Sequence, residues 1–428
     1  MSARRLLVLC YFYPPLAGGG VHRVLGFTRY LPRHGWACTV VCAGEDDYWV
    51  TDSSLLARVP AETAVVRVRG GSALSAWLAW RRRDRGRRPG GVFAGLRRLS
   101  DWFLMPDSYV GWARRARRVA AGLLAAGDFD AVLSSSPPDS VHLAALDVRR
   151  RFGLPWVVDF RDPWIPLYFR EPPSGWHRAR QAALERRVIE GADLVLTASA
   201  THAGMLGARS GARARRVLHL ANGYEPDAAT AAPPAAALAE SFLVVFTGTL
   251  SQMPDAEVFF EALHDLFARR SEARRRLRVV IAGPFESHYE DRARALGLTG
   301  IVRFAGPLAH GESRALQRRA DLLLLWKFRG FPTMVPGKVY EYLDAGRPLL
   351  GLLEAQDEVA ELVRRAGGTV VAPGDRSALA DAIERRYLAW CEGGAAASAR
   401  PDWLVDHTRE ALTVRLASAL DALVEARA

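Results

Sequence analysis

Lysine is nearly missing from this 428-residue chain: of its 58 Lys+Arg residues, Lys327 and Lys338 alone are lysine. A lysine kept against so strong an arginine bias suits a slim, flexible point charge of the kind that sits on phosphate. Codon drift is the plain alternative. Cysteine is scarce too, with Cys10, Cys38, Cys42 and Cys391. The first three lie in apolar, strand-like runs, and no C-x-x-C or His/Cys cluster exists. A disulfide frame and a zinc site are therefore excluded, and the thiols read as reduced core residues of a cytosolic protein. No apolar run approaches the roughly 20 residues a membrane-spanning helix needs. Met1–Cys10 imitates a signal peptide, but its apolar core is short and Pro14-Pro15 and three glycines follow, so it reads as a first strand. The expectation is a soluble, at most peripheral, protein. RRM signatures, zinc-finger spacing and helix-turn-helix patterns are absent as well, so the net charge of +12 does not by itself indicate nucleic acid. A basic surface equally suits an anionic substrate or an anionic membrane face.

What is present is alternation of strand and helix. The length predicts two domains, and 50% hydrophobic with 24% charged residues is an ordinary globular balance. Apolar runs at Leu6–Phe12, Ala37–Val41, Val65–Val68, Ala131–Ser135, Pro155–Phe160, Leu194–Ala198 and Val217–Leu220 read as strands of a first half. Phe242–Phe246, Val279–Gly283, Val302–Ala305, Leu322–Trp326, Leu349–Leu350 and Thr369–Ala372 read as strands of a second. An Ala/Pro-rich stretch, 226–239, reads as the linker. Repeated alternation predicts an α/β protein of two Rossmann-like domains with parallel sheets.

Chemistry gathers where open α/β sheets carry it, beyond the carboxyl ends of strands. After the first strand come Gly18-Gly19-Gly20 and a helix, a phosphate-cradling arrangement whose spacing is not G-x-G-x-x-G. A nicotinamide-dependent oxidoreductase is therefore a weak reading. Asp159-Phe-Arg161-Asp162-Pro-Trp164 runs from a strand into a loop, where Arg161-Asp162 is a site pair or a structural salt bridge. Asp128-Phe129-Asp130 imitates a metal motif but precedes a strand, and is rejected. The stretch Val335-Pro336-Gly337-Lys338-Val-Tyr-Glu341-Tyr-Leu-Asp-Ala-Gly346 places a cation and a carboxylate in the first turn of a short helix. Free backbone N–H groups and Lys338 suit a phosphate, and Glu341 suits ribose hydroxyls. The plainer reading is a helix end with two solvated charges. In the segment from Ser75 the run Arg81–Arg88 precedes Val92, Phe93, Leu96, Leu99, Trp102 and Phe103 at helical spacing. That pattern fits a surface helix with solvated arginines, or an amphipathic element lying on a membrane.

The Gly-Gly-Val-His turn, the Asp-Phe-Arg-Asp-Pro-Trp segment and the Pro-Gly-Lys-x-x-Glu-Tyr segment together resemble the GT-B glycosyltransferases, family 4 in particular. The resemblance implies two domains facing across a cleft, residues 1–224 for acceptor and 225–404 for donor, with a terminal helix at 405–428 crossing back to the first. It implies that Glu341 matches the ribose-holding second glutamate of a Glu-x7-Glu motif, whose first position is Thr333 here. Gly19 and Gly20 match the loop approaching the donor diphosphate or the acceptor, and Arg161 and Asp162 match a catalytic region. Relatives carry an Arg and a Lys after the first strand of the second half. Neither occurs in Gly248 to Pro254, which makes Lys338 a substitute beside the donor-side positions Gly248, Thr249, Pro336 and Gly337. The implied activity is retaining transfer of a sugar from a nucleotide-sugar donor to an acceptor hydroxyl, in surface polysaccharide, glycolipid or natural-product glycosylation. No metal or cofactor is implied. The acceptor would be lipid-linked or a small molecule, with peripheral contact to the inner face of the membrane through 75–104, and with no nucleic-acid partner. A non-catalytic relative that binds a nucleotide or glycan is the alternative.

Overall fold

The computed structural model describes residues 3–18, 20–48, 51–72, 102–166, 172–210, 216–226, 241–250, 253, 255–393 and 400–427. Gly19, most of the segment 75–104 and the linker from 227 lie outside them. Two compact units divide at Asn222/Gly223, and the chain from Arg409 onward rejoins the first.

In the first unit β1 (Arg4–Cys10), α1 (Val21–Tyr30), β2 (Trp36–Ala43) and β3 (Ala64–Val68) are followed by α2 (Val110–Ala126), β4 (Ala131–Ser136), α3 (Ser140–Phe152) and β5 (Trp156–Phe160). Then come α4 (Gly175–Gly191), β6 (Leu194–Thr197), α5 (Ala200–Ser210) and β7 (Val217–His219). The strands form one sheet in the order β3-β2-β1-β4-β5-β6-β7, all pairs parallel. A parallel sheet has helices on its faces, which is why its central strands read as unbroken apolar runs rather than alternating ones. Leu6, Leu7, Val8 and Leu9 of β1 are fully buried, as are Val132, Leu133, Val157 and Val158 in β4 and β5.

The second unit runs β8 (Phe242–Thr247), α6 (Asp255–Arg269), α7 (Ala273–Arg276), β9 (Leu277–Ala282), α8 (Ser287–Ala295), β10 (Val302–Gly306) and α9 (His310–Arg319). It continues with β11 (Leu322–Trp326), α10 (Lys338–Asp344), β12 (Leu349–Leu352), α11 (Glu358–Arg365), β13 (Thr369–Val371) and α12 (Arg376–Cys391). Its sheet order is β10-β9-β8-β11-β12-β13, again parallel throughout. Phe259, Ala262, Leu263, Leu266 and Phe267 of α6 pack on β8 and β9 in its core.

The last helix, α13, spans Arg409–Glu425, after a 3-10 turn at Asp402–His407. Thr408 between them is extended (φ −64°, ψ 144°), so the helix starts later than the sequence pattern suggests. It packs on α1, where a Cβ at Gly26 would stand 2.8 Å from Arg409 Cδ. Trp36 Nε1 donates to Asp421 at 2.9 Å, and Arg33 pairs with Glu410 at 2.6 Å.

In each sheet the strand order reverses once, between β1 and β4 and between β8 and β11. Crevices beyond the carboxyl ends at such reversals are where open α/β sheets bind ligands. Among the described residues no helix is long and apolar enough to cross a membrane.

Candidate active site

In the second unit the reversal is lined by β8, β11 and the start of α10. Gly248 follows β8 with φ +142° and Gly283 follows β9 with φ +134°. Both values lie where side chains are rarely tolerated. A Cβ at 283 would run into the Gly248 carbonyl, so the two strand exits nest only as glycines. Gly248 N–H donates to Ala282 O and Gly283 N–H to Gly306 O, each at 2.7 Å.

Lys338 opens α10, with Gly337 as N-cap. Its side chain reaches back to β8, where Nζ lies 4.3 Å from the Phe246 ring centroid. Phe246 stacks in turn on Trp326 at 4.4 Å and 20°. A Cβ on Gly248 would land on the Lys338 ammonium nitrogen, so that glycine is what admits the cation to the strand end. Burial lowers the Lys338 pKa to about 8, with Glu341 one turn along acting the other way. A lysine near 8 still carries its proton at neutral pH. Lys338 forms no ion pair among the described residues, whereas Lys327 is buried against Asp357. Asp357 also caps α11, accepting from Val359 N at 2.8 Å.

Free donors at the start of α10 are fewer than the sequence suggests. Val339 N–H donates to Pro336 O at 3.1 Å and Tyr340 N–H to Gly337 O at 3.2 Å, a tight 3-10 first turn. Glu341 is half-buried, and its carboxylate takes no hydrogen bond from any described residue. Thr333, where the first glutamate of the motif would stand, is buried. Thr249 is exposed beyond Gly248.

The scaffold under these residues escaped the sequence reading. The Tyr342 hydroxyl accepts Thr247 N–H at 2.7 Å, and Gln317 Nε2 donates to Thr247 Oγ1 at 3.0 Å. Arg314, buried, donates to the Glu341 carbonyl and to Gln317 Oε1 at 2.9 Å, and pairs with Asp344. Thus α9 ties the strand end to the helix that carries Lys338 and Glu341. A tyrosine on a core face was the available signal, since a buried hydroxyl requires a partner.

In the first unit Gly18 (φ +115°) and Gly20 lie in the turn from β1 to α1. Arg161 follows β5, and its Nη1 would stand 2.9 Å from a Cβ on Gly20. Arg161 Nη2 pairs with Asp162 Oδ2 at 2.6 Å. Gly20, Arg161 and Asp162 are therefore brought together at the carboxyl end of the sheet. Beneath them is a buried pair absent from the sequence reading. Arg23 Nε donates to both Asp159 oxygens at 3.0 Å, and Nη2 to Oδ1 at 2.7 Å. Nη1 donates to the carbonyls of Leu220 and Ala221 at 2.8 and 2.6 Å, and Ser135 Oγ donates to Asp159 Oδ2 at 2.7 Å. An aspartate inside the apolar strand Trp-Val-Val-Asp-Phe signals such a cation, because a buried carboxylate must be paired. Asp130 accepts Arg5 N–H at 2.6 Å, a strand staple.

Residues 18–223 match the family described as glycosyl transferase 4-like domain, and residues 241–388 match the family described as glycosyl transferases group 1. No curated protein matches the chain. Among solved structures it is similar to Anabaena Alr3699/HepE in complex with UDP-glucose, at TM-score 0.65 and 15% identity over 98% of this chain and 99% of that one. It is also similar to sucrose-phosphate synthase from Thermosynechococcus elongatus, at TM-score 0.64 and 14% identity over 99% of this chain and 100% of that one. A chain from Listeria monocytogenes described as a putative UDP-N-acetylglucosamine 2-epimerase matches at TM-score 0.61 and 11% identity, covering 99% of this chain and 97% of that one. At these identities the structures speak for the fold, which transferases and that epimerase share.

Proposed function

This chain belongs to the GT-B glycosyltransferases, a family 4-like domain followed by a group 1 domain, and on that premise we propose that it moves a sugar from a nucleotide-sugar donor to an acceptor hydroxyl with retention of configuration. The observation that carries the donor half is the placement of Lys338. Its ammonium is brought to the end of β8 over Phe246, at the strand reversal of the second sheet. That puts a cation where a departing diphosphate would gather charge, the electrostatic stabilisation most transferases depend on. The likeness to a UDP-glucose complex supports the donor class. Glu341 would hold the ribose hydroxyls, with Gly248, Thr249, Pro336 and Gly337 around the diphosphate. By the resemblance, Gly19 and Gly20 are further donor-binding residues, and Arg161 and Asp162 are catalytic. The acceptor would belong to surface polysaccharide, glycolipid or natural-product glycosylation, handled in the cytoplasm.

Thermal shift of the purified protein against UDP, GDP, dTDP and their sugars tests this, because a ligand that binds the native state raises its melting temperature. One nucleotide should raise it, and Glu341→Ala should abolish the gain. No shift with any of them would remove the donor assignment. Thr333 in place of the first motif glutamate favours a second reading, a binder without turnover. Donor binding with no transfer and no donor hydrolysis would establish that instead.

A further inference from the structure

The loop that carries Arg161 and Asp162 is pinned at both ends. On the entry side Asp159 is fixed by Arg23 and Ser135. On the exit side α4 holds the loop twice. Trp164, buried, donates from Nε1 to Gln181 Oε1 at 2.8 Å, and Ile165 N–H donates to Glu185 Oε1 at 3.0 Å. Between these fixed points lie Phe160, itself fully buried, and then Arg161, Asp162 and Pro163 alone. The ring of Pro163 fixes its own φ, so few free torsions remain to Arg161 and Asp162 once the ends are set.

The face of α4 that does this is polar and yet buried. His177, Gln181 and Glu185 follow one another at four-residue spacing, which places them on one side of the helix, and all three are buried. Polar residues so spaced ordinarily mark a helix's solvated face. Here each reaches across to a loop instead. His177 Nε2 meets Trp102 O at 3.3 Å, and Gln181 Nε2 donates to Pro106 O at 2.7 Å. Pro106 is steadied in turn, because Asp107 accepts the N–H groups of Tyr109 and Ser140 at 2.9 and 2.8 Å. A buried amide or carboxylate destabilises the fold unless it is paired, and here the partners are the loops themselves. Burial raises the Glu185 pKa to about 7, while Ile165 N–H and Arg209 of α5, whose Nη1 lies 3.8 Å from Oε2, pull it down. Arg209 also acts on His202 of its own helix, which burial keeps neutral.

We propose that Gln181 and Glu185 are positioning residues for the transfer step: by fixing Trp164 and Ile165 they aim the Arg161–Asp162 pair at the reacting groups. This rests on the transferase reading above. The test is release of free nucleotide from UDP-, GDP- and dTDP-glucose with water as acceptor, alongside hydrogen exchange of the Ile165 amide in a peptide covering Phe160–Pro166. Gln181→Ala and Glu185→Ala should each lower kcat about 10–100-fold, the scale of a misplacement near ~1 Å. The donor KM should change little, because the ribose and diphosphate contacts are assigned to the second unit. Glu185→Gln keeps an acceptor oxygen and should recover most of that loss. A purely structural role would make activity follow stability, and here the two diverge. As pH rises through about 7, kcat of the parent should rise, since an ionised carboxylate accepts more strongly. The stability contributed by Glu185 declines over the same range. Glu185→Gln should lose that acid limb of kcat. Ile165 exchange should be slow in the parent and in Glu185→Gln, and fast in Glu185→Ala. Parental kcat in both alanine variants, equal Ile165 exchange in all three Glu185 forms, or an acid limb that survives in Glu185→Gln would overturn the proposal. No release by the parent from any of the three donors would overturn both this role and the transferase reading beneath it. Intact Ile165 protection would then tell that failure from a failure of the pins.

Discussion

Lys338 and Gly248 act as one device at the scale of single residues. The lysine brings charge to the strand end, and the glycine leaves the room for it. Two outcomes are expected. Lys338→Ala should lower kcat by about 10²–10³, the usual loss when one charge-stabilising donor is removed. Its melting temperature should not fall, since no ion partner among the described residues is left stranded. Gly248→Ala should mimic that loss by displacing the ammonium while leaving Lys338 in the sequence. The depressed pKa gives a second handle. Lys338 is cationic below about 8, so under the proposed donor role kcat/KM should fall as pH rises through that value. This parameter reports the free enzyme's groups. An alkaline limb that persists unchanged in Lys338→Ala would assign it elsewhere.

At the scale of elements, one buried arginine holds several strand ends in register. Arg23 of α1 binds Asp159 at the end of β5 and the carbonyls of Leu220 and Ala221 after β7. Breaking it with Arg23→Met leaves the Asp159 carboxylate uncompensated in the interior, which costs about 3–5 kcal/mol. Pairing that change with Asp159→Asn should recover part of the loss, because the stranded charge is then gone. Urea midpoints of the single and double variants measure it. A double variant no more stable than Arg23→Met would mean that the arginine's carbonyl contacts, not the ion pair, carry the stability.

For the molecule as a whole, pH should act through buried groups of the first unit. His142 and His202 are held neutral by burial, their pKa values lowered to about 3 and about 4. In the unfolded chain these imidazoles take up protons near the ordinary histidine value of 6.5, so the stability these residues contribute is complete above that pH. It is lost as pH falls toward the folded-state values. Glu185 runs the other way, raised by burial to about 7 from 4.5. Its contribution is present below 4.5 and disappears as pH rises through 7. Melting temperature followed from pH 7.5 to 4.5 should fall on the acid side, and His142→Gln should flatten that fall. Glu185→Gln should instead lift the value at the upper end of the range. A pH profile identical in both variants would assign the dependence to other groups.

Much of this architecture is legible in the chain itself. Unbroken apolar runs such as Leu6–Leu9 and Leu322–Leu325 declare strands covered on both faces, because a side chain at every second position would otherwise meet water. The rarity of lysine singles out Lys338, and Pro336-Gly337 ahead of it with Gly346 behind sets the bounds of its helix. What pattern cannot carry is where long side chains end. That Lys338 lies back over Phe246, that Arg23 turns inward to Asp159, and that α9 braces both β8 and α10 depend on contacts between segments far apart in sequence. Periodicity along one element is silent about them. Trp102 and Trp164 belong to stretches that read as unrelated, and the buried face of α4 ties both. The sequence by itself determined the two parallel sheets, through burial period and turn chemistry. The tertiary structure decided which charges are spent inside and which remain for a ligand, because desolvation and pairing exist only once distant residues meet.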